Sequence, residues 1–154
     1  MIPFRQILSA LRGKLSMRDN PRHDYILPTG SIARFVFEKR KLYGDGRPRP
    51  HVFEPMRNKQ TGVLETSVCG LNNVSLDRLW FIGANIREKP AIAAVKVAVT
   101  EISRAGLCCV PDTATDHIHF PEHGLILGWH ESDKSLRLAK MQALAEAYSA
   151  TLRP

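Results

Sequence analysis

The sequence predicts an α+β domain: an antiparallel sheet of about five to six strands packed against two helices, preceded by a basic amphipathic helix. Three observations carry that expectation. The chain has 154 residues, 44% of them apolar and 24% charged, which is the size and composition of one globular domain. Short runs of β-branched and aromatic residues alternate with Gly and Pro clusters, as strands alternate with turns. Two further stretches repeat their apolar residues at three and four, as helices do. Residues 1–20 therefore read as a basic helix and connector, and residues 27–154 as a single α+β domain.

In chain order, Phe4, Leu8, Leu11 and Leu15 form an apolar stripe flanked by Arg5, Arg12, Lys14 and Arg18, giving a helix over 3–17 with Pro3 in its first turn. Asn20-Pro21, Pro28 and Gly30 mark the connector that follows. Ser31 to Arg40 holds Ile32, Phe35, Val36 and Phe37 and reads as the first strand. The stretch from Gly44 to Pro50 forces a turn and an extended segment, because each Pro removes a donor and restricts its predecessor. His51–Glu54 is expected as a short second strand and Val63–Cys69 as a third, closing a meander. Ser75 is placed to cap a helix over 75–86, with Leu76, Leu79, Trp80 and Gly83 on one face. Val95, Val97 and Val99 alternate, so Ile92–Thr100 is expected to be a strand. Leu107–Val110 is a brief apolar run, residues 111–121 a loop, and Leu125–Trp129 a buried strand. Ser132 or Asp133 caps the last helix, whose stripe is Leu138, Met141, Ala145, Tyr148 and Leu152.

Charge is distributed unevenly. Residues 1–59 carry 13 Lys/Arg against 5 Asp/Glu, a net of +8, whereas residues 60–154 carry 9 against 10. The excess gathers at Arg12, Lys14 and Arg18, then at Lys39, Arg40, Lys41, Arg47, Arg49, Arg57 and Lys59. Such a face attracts polyanions by releasing their counterions, which points to nucleic acid or an acidic protein subunit as partner. Tyr43, between Gly44 and the Lys39–Lys41 run, is the aromatic residue expected at the surface, where it offers a stacking face. No apolar run reaches the ~18–20 residues of a membrane span, and no secretory leader is expected at the N-terminus. The 3 cysteines, Cys69, Cys108 and Cys109, form no C-x-x-C pair. A cytoplasmic setting without disulfides follows from that pattern.

Candidate chemistry gathers around the histidines. In the stretch from Asp116 to His123, His117 and His119 point the same way on an extended segment, and a turn at Pro121 brings His123 or Glu122 toward them. That geometry suits a divalent metal, with Asp116 or Glu122 orienting a water for hydrolysis. The H-x-H-x3-H spacing matches no zinc-finger or H-E-x-x-H pattern, so His117, His119 and His123 are metal candidates without a defined ligand set. The chain has no G-x-S-x-G elbow, P-loop or G-x-G-x-x-G. Cys69 lies among strand residues, where a thiol behaves as a small buried hydrophobe.

Pro121-Glu122-His123-Gly124-Leu125-Ile126-Leu127-Gly128-Trp129, followed by an Ala-rich terminal helix, resembles a family of small bacterial hypothetical proteins with a P-x-H-(A/G)-x-I-x-G-W strand. Ile32-Ala33-Arg34-Phe35, Phe53-x-Pro55, Glu65-Thr66-Ser67-Val68, Leu79-Trp80-x-Ile82-Gly83 and Ala105-Gly106-Leu107 extend the resemblance over residues 27–152. The resemblance implies no defined activity; a place beside phage-defence or mobile-element genes is what it suggests. His123 is the histidine of that pattern, whereas His117, His119 and His130 fall where it specifies nothing. Should His123, Arg34 and Ser67 meet in one cleft, they would form an anion-binding or acid–base pocket. Two functions are therefore expected: a non-enzymatic interaction module or accessory subunit with a basic face, or a small metal-dependent hydrolase or nuclease centred on His123, with Arg34, Ser67 and Glu122 as further catalytic candidates.

Overall fold

A computed structural model describes residues 24–112 and 120–154. The predicted basic helix with Arg12, Lys14 and Arg18, and the histidines His117 and His119, lie outside the described residues. The described chain runs β1 (Ser31–Val36), two 3-10 turns (Lys39–Lys41 and Pro50–Phe53), β2 (Met56–Arg57), β3 (Leu64–Gly70) and α1 (Leu76–Asn85). It continues through β4 (Ala93–Ala98), α2 (Val99–Arg104), β5 (Cys108–Pro111), β6 (His123–Leu127), α3 (Lys134–Glu146) and β7 (Ala150–Leu152). The strands pair antiparallel in the order β5-β6-β3-β1-β4-β7, with β2 also on β3. This is an α+β fold.

Helices cover both faces of the sheet. Alternation along β1 sends Ile32 and Val36 to one face, where they join Val68, Val95, Val97 and Ile126 under Ile102 of α2 and Met141 and Leu144 of α3. Ala33 and Phe35 go to the other face with Cys69 and Ala94, under Leu79 and Ile82 of α1. Coverage on both sides is why β4 reads as a nearly continuous apolar run rather than a clean alternation. The caps are set locally: Ser75 Oγ accepts from the Arg78 amide at 3.1 Å, and Asp133 Oδ1 from the Leu136 amide at 3.0 Å. Helix α1 rides close to the sheet because Gly83 faces Phe35; a Cβ at that position would stand 2.8 Å from the ring.

Four elements differ from the sequence expectation. The first strand, expected over Ser31–Arg40, ends at Val36, and Lys39–Lys41 forms a 3-10 turn. The segment around His51–Glu54 is a 3-10 turn, because Pro50 starts it and the neighbours Val52 and Phe53 both enter the core, which alternation on a strand forbids. The strand expected over Ile92–Thr100 ends at Ala98, and Val99 and Ile102, three apart, bury one face of the short α2. The last helix ends at Glu146; Leu138 is exposed, the inward face is Met141, Leu144 and Ala145, and Leu152 belongs to β7, paired with Ala94. A three-residue strand packed on β4 competed successfully with helical continuation because it buries an otherwise open sheet edge.

Candidate active-site cleft

Strand register assembles the site on the α1 face. Ala33 pairs with Cys69, and Cys69 with His123, so one row crosses β1, β3 and β6. The β5–β6 ladder runs from Cys108 opposite Leu127 to Pro111 opposite Gly124, and the Asp112 amide then donates to the His123 carbonyl at 3.0 Å. Asp112 therefore sits beside His123, and its Oδ2 lies 2.9 Å from His123 Nδ1. A carboxylate only accepts, so Nδ1 carries the proton and Nε2 is the basic nitrogen of the neutral ring. Nε2 makes no hydrogen bond among the described residues, and the ring is 29% exposed toward the cleft it lines.

Arg34 occupies a seam in the sheet. The β1–β3 ladder stops after two pairs, Ile32 with Gly70 and Ala33 with Cys69. Beyond that point the guanidinium satisfies backbone carbonyls that no strand covers: Nε donates to Val52 O at 3.0 Å and Nη1 to Ser67 O at 2.8 Å. Nη2 is uncommitted among the described residues, leaving its two N–H donors for a ligand. Desolvation pushes the Arg34 guanidinium down to about 10, and the positive Arg87 pushes in the same direction. Arg87 lies exposed just past α1 with its guanidinium 4.3 Å over the Phe37 ring. Neither arginine has a carboxylate within 4.0 Å among the described residues. Glu38 already interacts electrostatically with Arg87, and a bound anion would further stabilise the two like charges.

The cleft encloses about 340 Å³, within the roughly 300–1,000 Å³ of small-molecule sites. Arg34, Arg87, Ser67, Asp112 and His123 supply its polar wall, and Phe37, Ile82, Ile86 and Phe120 the apolar one. A smaller cleft of about 180 Å³ adjoins it, bounded by Lys41, His51, Val52, Glu54 and Met56, and shares Arg34, Phe35, Phe37 and Arg87.

Arg34, Ser67, Glu122 and His123, the candidates from sequence, all line the larger cleft. Their situations differ. The Glu122 side chain is only 5% exposed and is held by Arg78, Nε to Oε1 at 2.7 Å and Nη2 to Oε2 at 3.2 Å. Its carboxylate fastens the start of β6 to α1 rather than facing a reactant. Ser67 is exposed at the rim. Cys69, in the row between Ala33 and His123, is buried, and burial pushes its thiol up to about 12, so it is an inert floor rather than a nucleophile. Among the described residues no three His, Cys, Asp or Glu side chains converge as metal ligands, and His130 is exposed at the start of the loop before α3.

Sequence reasoning missed Asp112 and Arg87. The register of β5 against β6 would have found Asp112, but the pairing of a four-residue strand across a loop is not written in either strand. Arg87 had no signal beyond its charge.

The basic residues of 39–59 are largely neutralised. Arg40 pairs with Glu38, Lys41 with Glu54 at 3.8 Å, Arg47 with Asp45 at 2.6 Å and Arg57 with Glu131 at 2.8 Å. Lys39 and Lys59 stand exposed. Tyr43 is 40% exposed, as expected, but the Arg49 and Arg47 guanidiniums already stand 4.3 and 5.1 Å from its ring centroid. No helix among the described residues is long and apolar enough to cross a membrane. No family model, curated protein or solved structure matches this chain.

Proposed function

We propose that the protein is an acid–base enzyme acting on a small anionic substrate bound in the larger cleft. The observation that carries the reading is the His123–Asp112 hydrogen bond in the same cleft as two arginines that form no carboxylate ion pair within 4.0 Å among the described residues. Asp112 fixes the ring tautomer and stabilises the imidazolium, and Nε2 accepts a proton from a water or substrate hydroxyl. Arg34 and Arg87 hold the anion and neutralise charge that develops next to it. Ile82 and Phe120 give that side of the cleft an apolar wall, and a low-dielectric wall strengthens these interactions.

The test is turnover of chromogenic p-nitrophenyl phosphate, bis(p-nitrophenyl) phosphate and p-nitrophenyl acetate by the purified chain. His123→Ala is expected to lower the rate of the substrate used by about hundredfold or more, the size of a general-base contribution. Equal rates for the variant and the parent chain on every substrate would dismiss the reading. Dialysis against a chelator belongs in the same assay, since a metal-dependent hydrolase assembled by His123 with His117 and His119 would lose activity and this dyad would not.

A second reading is favoured by the exposed Tyr43 with Arg47 and Arg49 around it. Here the basic segment engages nucleic acid or an acidic protein subunit. Binding to single-stranded RNA would then fall steeply with salt, and Lys39→Glu, Arg40→Glu and Lys41→Glu together would weaken it further. The ion pairs at Glu38, Asp45, Glu54 and Glu131 reduce the charge available for this, which is why the cleft takes precedence.

A further inference from the structure

The two clefts meet at their cations. Four residues, Arg34, Phe35, Phe37 and Arg87, line both, so the pair of guanidiniums stands at the junction rather than at the end of either. One arm leads to Ile82, Ile86, Phe120 and the His123–Asp112 pair. The other leads to Lys41, His51, Val52 and Met56, with the Glu38 and Glu54 carboxylates also on its wall. A ligand that fills both arms places its anionic group in its middle. A carboxylate or a phosphate monoester carries a single organic substituent and is terminal, whereas a phosphodiester carries two and keeps one negative charge between them. Arg34 suits such a group: Nε and Nη1 are fixed by Val52 O and Ser67 O, and Nη2 presents its two donors in a plane set by the protein.

We infer that the ligand is a phosphodiester lying across both clefts, its phosphate between Arg34 and Arg87 and one ester arm reaching toward His123. The inference rests on the acid–base reading for the role of His123, but its own content is the two-armed shape of the ligand. The second arm is half-polar, with Lys41 3.8 Å and His51 3.9 Å from the Glu54 carboxylate, so it takes a hydroxylated or nitrogen-containing group rather than a fatty chain.

The experiment is calorimetric binding to the full chain with four probes: inorganic phosphate, uridine 3′-monophosphate, the dinucleoside monophosphate uridylyl-3′,5′-adenosine, and glycerophosphocholine. The dinucleoside phosphate is expected to bind about tenfold or more tightly than the monoester, because it alone fills the second arm. Glycerophosphocholine matching it would assign the source as a lipid-derived diester; the nucleoside diester alone binding would assign it as nucleic acid. Arg87→Ala, an exposed position that spares the fold if Arg34 variants do not, should weaken every probe about tenfold, the scale of one charge-assisted contact. His51→Ala and Lys41→Ala should weaken the diester and leave the monoester unchanged. Equal affinity for monoester and diester, or a diester unaffected by both distal variants, overturns the inference. Failure of the two proposals is separable. Diester binding through both arms without any His123-dependent turnover would leave this inference standing and remove the enzyme. His123-dependent turnover of monoesters insensitive to Lys41 and His51 would do the reverse.

Discussion

Removal of Arg78 should cost more than removal of its partner Glu122. The Glu122 side chain is 5% exposed and that of Arg78 36%, so the two lose water to very different degrees. In Arg78→Met the carboxylate stays under β6 and α1 with no cation and little solvent. Breaking a buried pair from one side costs about 3–5 kcal/mol, and the partial exposure of Arg78 places this case at the lower end, about 3 kcal/mol. For a domain of this size that lowers Tm by roughly 6–12 °C. In Glu122→Gln the arginine turns to water and the amide still offers an acceptor, so about 1 kcal/mol is expected. Thermal unfolding followed by circular dichroism at neutral pH should therefore show a larger fall in Tm for Arg78→Met than for Glu122→Gln. Equal losses for the two variants would refute the argument that asymmetric burial decides the cost.

Other outcomes follow from the same geometry. Asp112→Asn removes the carboxylate that orients His123 and should lower turnover by about hundredfold or more while leaving phosphate binding intact, read by steady-state rates beside calorimetry. Burial pushes Cys69 and Cys109 up to about 12 and raises Cys108 in the same direction, so iodoacetamide at neutral pH should leave all three unmodified until denaturant is added, as counted by intact mass. Gly83→Ala pushes a methyl group against the Phe35 ring and should destabilise by about 1–3 kcal/mol in urea unfolding, with an equally large effect on ligand binding because Phe35 lines both clefts.

The order of the chain was sufficient for what depends on neighbours a few residues apart. The alternation in Ser31–Val36, the Ser75 and Asp133 caps and the strand around Ile126 are decided by side-chain periodicity and by hydroxyl or carboxylate oxygens within reach of an amide three residues on. Such features were legible because their energies are local. His123, Arg34 and Ser67 were legible as candidates, but not their meeting. That meeting depends on β3 lying between β1 and β6 and on the β5–β6 ladder, which brings Asp112 to the side of His123. Pairing register is set by which faces α1, α2 and α3 cover, a matter of packing across the whole domain, and no residue carries it alone. The same holds for His51–Glu54, where burial of Val52 and Phe53 together overrode strand propensity, and for the Arg34 seam, which exists only because the β1–β3 ladder ends after two pairs. Residue identity determined which groups carry chemistry; the sheet decided which of them face one another.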